Sequence, residues 1–148
     1  MARLYLIKRD GTEPKALTGE RQYCTDGRLS PNGKRVLHRI ITISKDKSKE
    51  DREETKQALA VLDIPTGKSV AVDFPPNSEI IGYCWSPDGK RIAYTWKERH
   101  EGKPEDLEKK ETKSCLVVCD PDGKNAKTIA TEKGSNPGEV TIGRVDWR

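Results

Sequence analysis

No stretch of this sequence approaches the run of about 18 apolar residues that carries a helix across a bilayer. Apolar residues make up only 32% of the chain and charged ones 35%, so hydrophobic side chains must be concentrated in a few short segments. The opening residues, MARLYLIKRDG, hold no apolar core and no small-residue cleavage site, which excludes a secretory leader within the chain as it stands. The expectation is a soluble cytoplasmic protein, or a periplasmic one if a leader precedes the first residue. Aromatics are scarce at 5%, and the basic stretches carry acidic neighbours with little aromatic interleaving. A nucleic-acid surface is therefore not expected, and the net charge of +4 is too small to argue for one.

Histidine and cysteine are also sparse. The two histidines, His38 and His100, lie in different segments, and the four cysteines are Cys24, Cys84, Cys115 and Cys119. Cys115 and Cys119 on a strand would face the same side about 13 Å apart, too far for a disulfide. Their CxxxC spacing stands alone without a second pair of ligands, so no metal site is expected. Buried reduced thiols acting as small hydrophobes are the expectation. Nothing in the sequence calls for a cofactor.

What the chain does have is repetition. LSPNGKRVLHRI (29–40) aligns with WSPDGKRIAYTW (85–96) at an offset of 56 residues, with Ser, Pro, Gly, Lys and Arg coinciding. A second phrase, an apolar run followed by a glycine turn and a further apolar-alternating run, occurs at 4–18, 60–74 and 116–130, and its Gly11, Gly67 and Gly123 are again 56 apart. Each phrase reads as a hairpin. Pro pre-sets its own φ, Asp or Asn bonds to backbone two residues on, and Gly supplies positive φ. Asx-Gly between strand-like residues is a strong hairpin signal.

The runs LYLI, LAVL and CLVV are apolar on both faces, yet short turns demand antiparallel pairing. Such strands must lie in sheets covered above and below. Strands are expected at 3–9, 14–18, 23–29, 35–43, 59–64, 69–74, 80–85, 91–97, 115–119, 126–131 and 139–147. The charged stretches 44–58 and 97–114 occupy the same place in each repeat and read as solvated loops, with a short helix as the alternative for each, since Pro104, Glu105 and Asp106 would suit a first turn.

With those motifs in place, the sequence resembles the blade repeat of TolB-like proteins and of the propellers in prolyl-oligopeptidase-type enzymes. Trp85, Ser86, Pro87, Asp88, Gly89, Lys90, Ile92 and Ala93 match its W-S-P-D-G-K-x-I-A phrase. Leu4, Tyr5, Leu6, Asp10, Gly11, Leu17 and Thr18 match its following strand pair. VDWR at 145–148 resembles the opening of a further copy, while Leu29 stands where the repeat has tryptophan. The resemblance implies an all-β fold of four-stranded antiparallel blades, a partial β-propeller of about 2.5–3 blades. It divides into a half-blade at 1–18, blades at 19–75 and 76–131, and the start of another at 139–148.

Propellers close with about four to eight blades. Either the chain is a piece of a longer propeller or two copies form a homodimer that closes a ring of about six. No G-x-S-x-G elbow is present, so the hydrolase domain that accompanies some of these propellers is not part of this chain. TGKS (66–69) resembles the end of a phosphate-binding loop, but Leu62 stands where that loop needs glycine. No catalytic residue and no specific binding residue emerges, and Lys90 and Arg91 read as solvent-facing hairpin residues. The functional expectation is a non-catalytic scaffold for a protein or peptide partner. The alternative is an enzymatic propeller, a lyase or hydrolase, with its site at the central channel of an oligomer.

Overall fold

The computed structural model describes residues 2–20, 23–45, 53–99, 111–134 and 142–147. The chain forms two compact units, Met1–Ala71 and Val72–Arg148. Their described elements are all strands, as the alternation of short apolar runs and Asx-Gly turns requires.

The first unit opens with a two-stranded antiparallel sheet, β1 (Tyr5–Leu6) and β2 (Lys15–Ala16), paired Tyr5 to Ala16 and Leu6 to Lys15. A four-stranded meander follows in the order β3 (Tyr23–Leu29), β4 (Arg35–Lys45), β5 (Glu53–Asp63) and β6 (Ser69–Val72), whose last residue is the first of the second unit. Leu59, Ala60, Val61 and Leu62 on β5 are all buried, so both faces of that strand are covered. The N-terminal hairpin covers part of one face. Leu4 Cδ2 lies 3.1 Å, and Val36 Cγ1 3.4 Å, from where a Cβ would stand on Gly27, a glycine within the β-bulge of β3. The Cys24 amide donates to the Ala2 carbonyl at 2.9 Å, tying the start of the chain to β3.

The second unit is a four-stranded antiparallel sheet of β7 (Ser78–Trp85), β8 (Ile92–Glu98), β9 (Thr112–Cys119) and β10 (Lys127–Gly134), ordered β10-β9-β8-β7. Five consecutive residues of β8, Ile92 to Trp96, are buried. On one face the Tyr94 hydroxyl donates to the Asp73 carbonyl at 3.1 Å. Across the other run residues 142–145. Thr95 Oγ1 donates to the Gly143 carbonyl, and the Ile142 amide donates to Ser114 Oγ, both at 3.0 Å. Gly82, paired with Thr95 beside a bulge in β7, leaves room for that segment: a Cβ there would stand 2.9 Å from Arg144 Cα.

Several boundaries differ from the sequence expectation. Residues 142–147 form no strand, although one was expected over 139–147; residues 139–141 lie outside the described set. Their backbone is held by side-chain hydroxyls rather than by a ladder. The stretches 44–58 and 97–114 are not loops throughout. β4 and β5 stay paired from Arg35–Asp63 out to Lys45–Glu53, and β9 starts at Thr112. Polar residues such as Thr42 and Lys56 continue the ladder because pairing needs backbone groups, not apolar side chains. The remaining parts of both charged stretches lie outside the described residues. The strands read at 3–9 and 14–18 shrink to two residues each.

The two SPxG turns are built alike. Ser30 Oγ accepts from the Arg35 amide and donates to Asn32 Oδ1, which accepts from the Lys34 amide. Ser86, Asp88, Lys90 and Arg91 repeat those bonds, and Gly33 and Gly89 sit at φ +70° and +68°.

Ser86 is buried, so Ser86→Ala should cost about 1–3 kcal/mol by stranding the Arg91 amide, whereas Asp88→Asn should change little at neutral pH because Asn32 fills that role. Urea unfolding of both variants checks this; equal stability of S86A and the parent would remove the serine from the account. Gly82→Ala should displace residues 142–145, read as faster hydrogen exchange at the Ile142 amide, while the β8–β9 ladder stays protected.

Candidate binding site

At the end of the second unit's sheet where its tight turns lie, an open pocket of about 450 Å³ is formed by the approach to β8, the end of β9, the turn after it and the start of β10. Arg91 directly precedes β8, and Asp120 directly follows β9. The turn from Asp120 closes when the Gly123 amide donates to the Asp120 carbonyl at 2.9 Å, with Gly123 at φ +82°. Asn125, at φ +53°, turns its amide back so that Nδ2 donates to Asp120 Oδ2 at 2.6 Å. Lys127 and Ile129 complete the opposite wall from β10. The register slips between Thr128 and Ala130, so Ile129 is the extra residue of a β-bulge and remains 54% exposed. A bulge commonly re-aims a side chain beside a site.

Cys119 forms part of this lining and is itself buried. Burial, then the charges of Asp120 and Asp122, push its thiol up to about 11, so it stays protonated and acts as a neutral wall rather than a nucleophile. Tyr94 is pushed up to about 12, mainly by burial. Cys115 and Cys119 are both buried on β9, which suits packing. Among the described residues, no three His, Cys, Asp or Glu side chains gather where they would hold a metal ion.

The other sequence candidates fall outside this pocket. TGKS is the β5–β6 turn: the Thr66 amide donates to Asp63 Oδ1 and the Gly67 amide to the Asp63 carbonyl. It caps a hairpin, not the start of a helix. His38 lies in β4 and is buried, with Nδ1 lacking a hydrogen-bond partner. Burial lowers its pKa from the ordinary 6.5, against a smaller opposing hydrogen bond with the Val36 backbone. His100 is outside the described residues. Sequence reasoning treated Arg91 only as a hairpin residue and passed over Asn125, Lys127 and Ile129. The signal that would have found them is divergence between repeats, since Ser69, Ala71 and Asp73 stand at the matching places 56 residues earlier.

No protein-family profile matches this chain, and no curated protein does. Solved structures do. TolB from Acinetobacter baumannii superposes with a TM-score of 0.55 at 17% identity, over 86% of this chain and 26% of that one. A Bacteroides ovatus protein assigned as a dipeptidyl aminopeptidase IV matches with a TM-score of 0.50 at 14% identity, over 81% of this chain and 21% of its own. A protein assigned as TolB from Agrobacterium tumefaciens gives 0.43 at 14% identity, over 96% of this chain and 61% of its own. The fold is therefore that of TolB-like propeller blades, all-β and partial, and this chain spans about a quarter of the length of the Acinetobacter TolB. Among the described residues no helix is long and apolar enough to cross a membrane.

His38 generates a pH prediction. Its folded pKa is depressed, so below about 6.5 the unfolded chain takes up a proton that the folded chain refuses. Stability should fall as pH drops from 7.5 to 5.5, and His38→Gln should flatten that slope whatever its effect on absolute stability. Urea midpoints across the range measure it; parallel slopes in parent and variant would exclude His38 as the cause.

Proposed function

We propose that this chain is a non-catalytic, TolB-like propeller segment that serves as a scaffold for protein or peptide interaction. The observation that supports this most is the pocket at the turn end of the second unit. It combines Arg91, which the repeats share, with Asn125, Lys127 and Ile129, where this blade departs from its neighbour. A rigid framework with variable turn-end residues suits recognition. The peptidase assignment of the Bacteroides neighbour supports the fold alone at 14% identity. No specific observation favours a catalytic reading over the scaffold.

Closure of the ring belongs to the same proposal. The two four-stranded sheets and one two-stranded sheet among the described residues fall short of the four to eight blades a propeller uses. A second copy would bring the total to about six, with the half-blade at Met1–Thr18 set against the partner's 139–148 region. A cytoplasmic location fits the packing of Cys115 and Cys119 as thiols.

Affinity capture should recover a partner that is lost when the charged stretches 46–52 and 100–110 and the pocket residues Arg91 and Lys127 are altered together. Recovery of the same proteins by the parent and the altered chain would overturn the scaffold reading. Light scattering over a concentration series should give twice 16.6 kDa; a stable monomer would remove the homodimer and leave longer-chain closure in its place.

A further inference from the structure

The pocket's charges are unevenly satisfied. Three cations of the second unit have acidic partners, Arg99 with Glu79 at 3.6 Å, Lys124 with Asp122 at 3.1 Å and Lys133 with Glu111 at 3.6 Å, whereas Lys90 and Lys113 have none among the described residues. Arg91 and Lys127, which line the same pocket, likewise have no ion-pair partner among the described residues. The nearest acid in the lining, Asp120, is engaged by Asn125 Nδ2 at 2.6 Å. The lining thus carries two cations and one acid, and the acid already has a donor. Beside these charges Val118 and the bulged Ile129 present an apolar wall. The protonated Cys119 adds no competing anion. A volume of about 450 Å³ lies within the range of pockets that hold small ligands or a few residues of peptide.

We propose that this pocket binds an acidic peptide segment, with a carboxylate between Arg91 and Lys127 and a neighbouring aliphatic side chain against Val118 and Ile129. The inference rests on the scaffold reading for its choice of a peptide over a free small acid. A guanidinium offers parallel N–H donors that match both carboxylate oxygens, and Lys127 adds a point charge that needs no fixed geometry. The apolar wall selects among acids, because Val118 and Ile129 gain from an aliphatic neighbour and give nothing to a hydrated one. The matching sequence positions 56 residues earlier do not repeat this chemistry. Ala71 stands at the place of Lys127 and Asp73 at that of Ile129, so the cation is missing and the apolar position carries a negative charge.

The test uses the full chain and a fluorescent, end-blocked five-residue peptide with a central glutamate between two leucines, read by polarisation. The glutamine counterpart, and separately Arg91→Gln and Lys127→Gln, should each weaken binding about tenfold, the scale of a lost charge-assisted contact. Raising salt from about 0.05 to 0.5 M should weaken the glutamate peptide further, because an open pocket is screened. Thermal melts should coincide for parent and variants, since neither side chain has an ion-pair partner to lose. Replacing the leucines with serines separates the peptide from a free acid: undiminished binding would overturn the apolar half of the proposal. Equal affinity for glutamate and glutamine peptides, no change in R91Q and K127Q, or no binding would overturn it entirely. If R91Q/K127Q still captures the same partners as the parent, this site fails and the scaffold reading survives. If no partner is captured by any form, the scaffold reading itself fails.

Discussion

The serine hydroxyl of the SPxG turn is the contact on which the rest of each sheet depends. Ser30 and Ser86 are buried and each accepts the amide five residues on, while the Asx side chain two residues on accepts a further amide. Those bonds fix the loop length between the first and second strands of each meander. With side chains alternating every residue, a slip of one would turn Tyr94 away from the Asp73 carbonyl and Thr95 away from Gly143. The buried faces of the sheet and the turn end where the pocket lies both follow from that register. The choice of Asp or Asn at the third position leaves the geometry intact but not the response to acid. The Ser86 hydroxyl, then the Lys90 amide, hold Asp88 below the ordinary carboxylate pKa. Its contribution is present above the ordinary carboxylate pKa and fades as pH falls through the lowered value, whereas Asn32 has nothing to titrate.

Burial on both faces is the second constraint, and it explains which polar groups lie inside. A strand such as β8, covered above and below, must satisfy every side chain it presents. Thr95, Ser114 and Tyr94 do so by reaching backbone carbonyls or amides of segments lying across the sheet. The hydroxyls therefore hold the covering segment in place as well as meeting their own needs. His38 occupies the matching place to Tyr94 one repeat earlier but leaves Nδ1 unpaired. A neutral imidazole tolerates this at some cost in a buried site; an imidazolium would not.

The fold was legible because its strongest signals are local and doubled. Asx-Gly turns at a constant offset of 56 fix the hairpins, and runs such as LAVL are too apolar and too short for anything but a doubly covered strand. What the sequence hid has physical reasons. The outward extension of β4 and β5 through Thr42, Lys56 and Glu54 carries no apolar alternation, so a charged ladder reads as a loop. The segment 142–147 resembles a strand opening, yet whether it pairs depends on a neighbouring edge that composition does not describe. The pocket was less legible still. It draws on Arg91, which the repeat shares, and on residues whose importance lies in differing from the repeat.

That difference bears on how a repeated fold acquires a function. Positions that build the turn are held by geometry, and a change at Ser86 or Gly89 is answered by the whole sheet. Positions just beyond the turn, on the edge strand, have no such duty. Ser69, Ala71 and Asp73 in one copy match Asn125, Lys127 and Ile129 in the other by sequence, and both sheets form although Ser69 opens β6 where Asn125 precedes β10 at φ +53°. The bulge at Ile129 sharpens the contrast, because an unpaired extra residue on an edge is freed from the ladder and aimed outward. Recognition chemistry can then be placed on β10 without altering the register set at the opposite side of the sheet. A binding site in this architecture is expected where the framework asks least, at the outer strand beside a tight turn, and the Arg91–Lys127 pocket lies there.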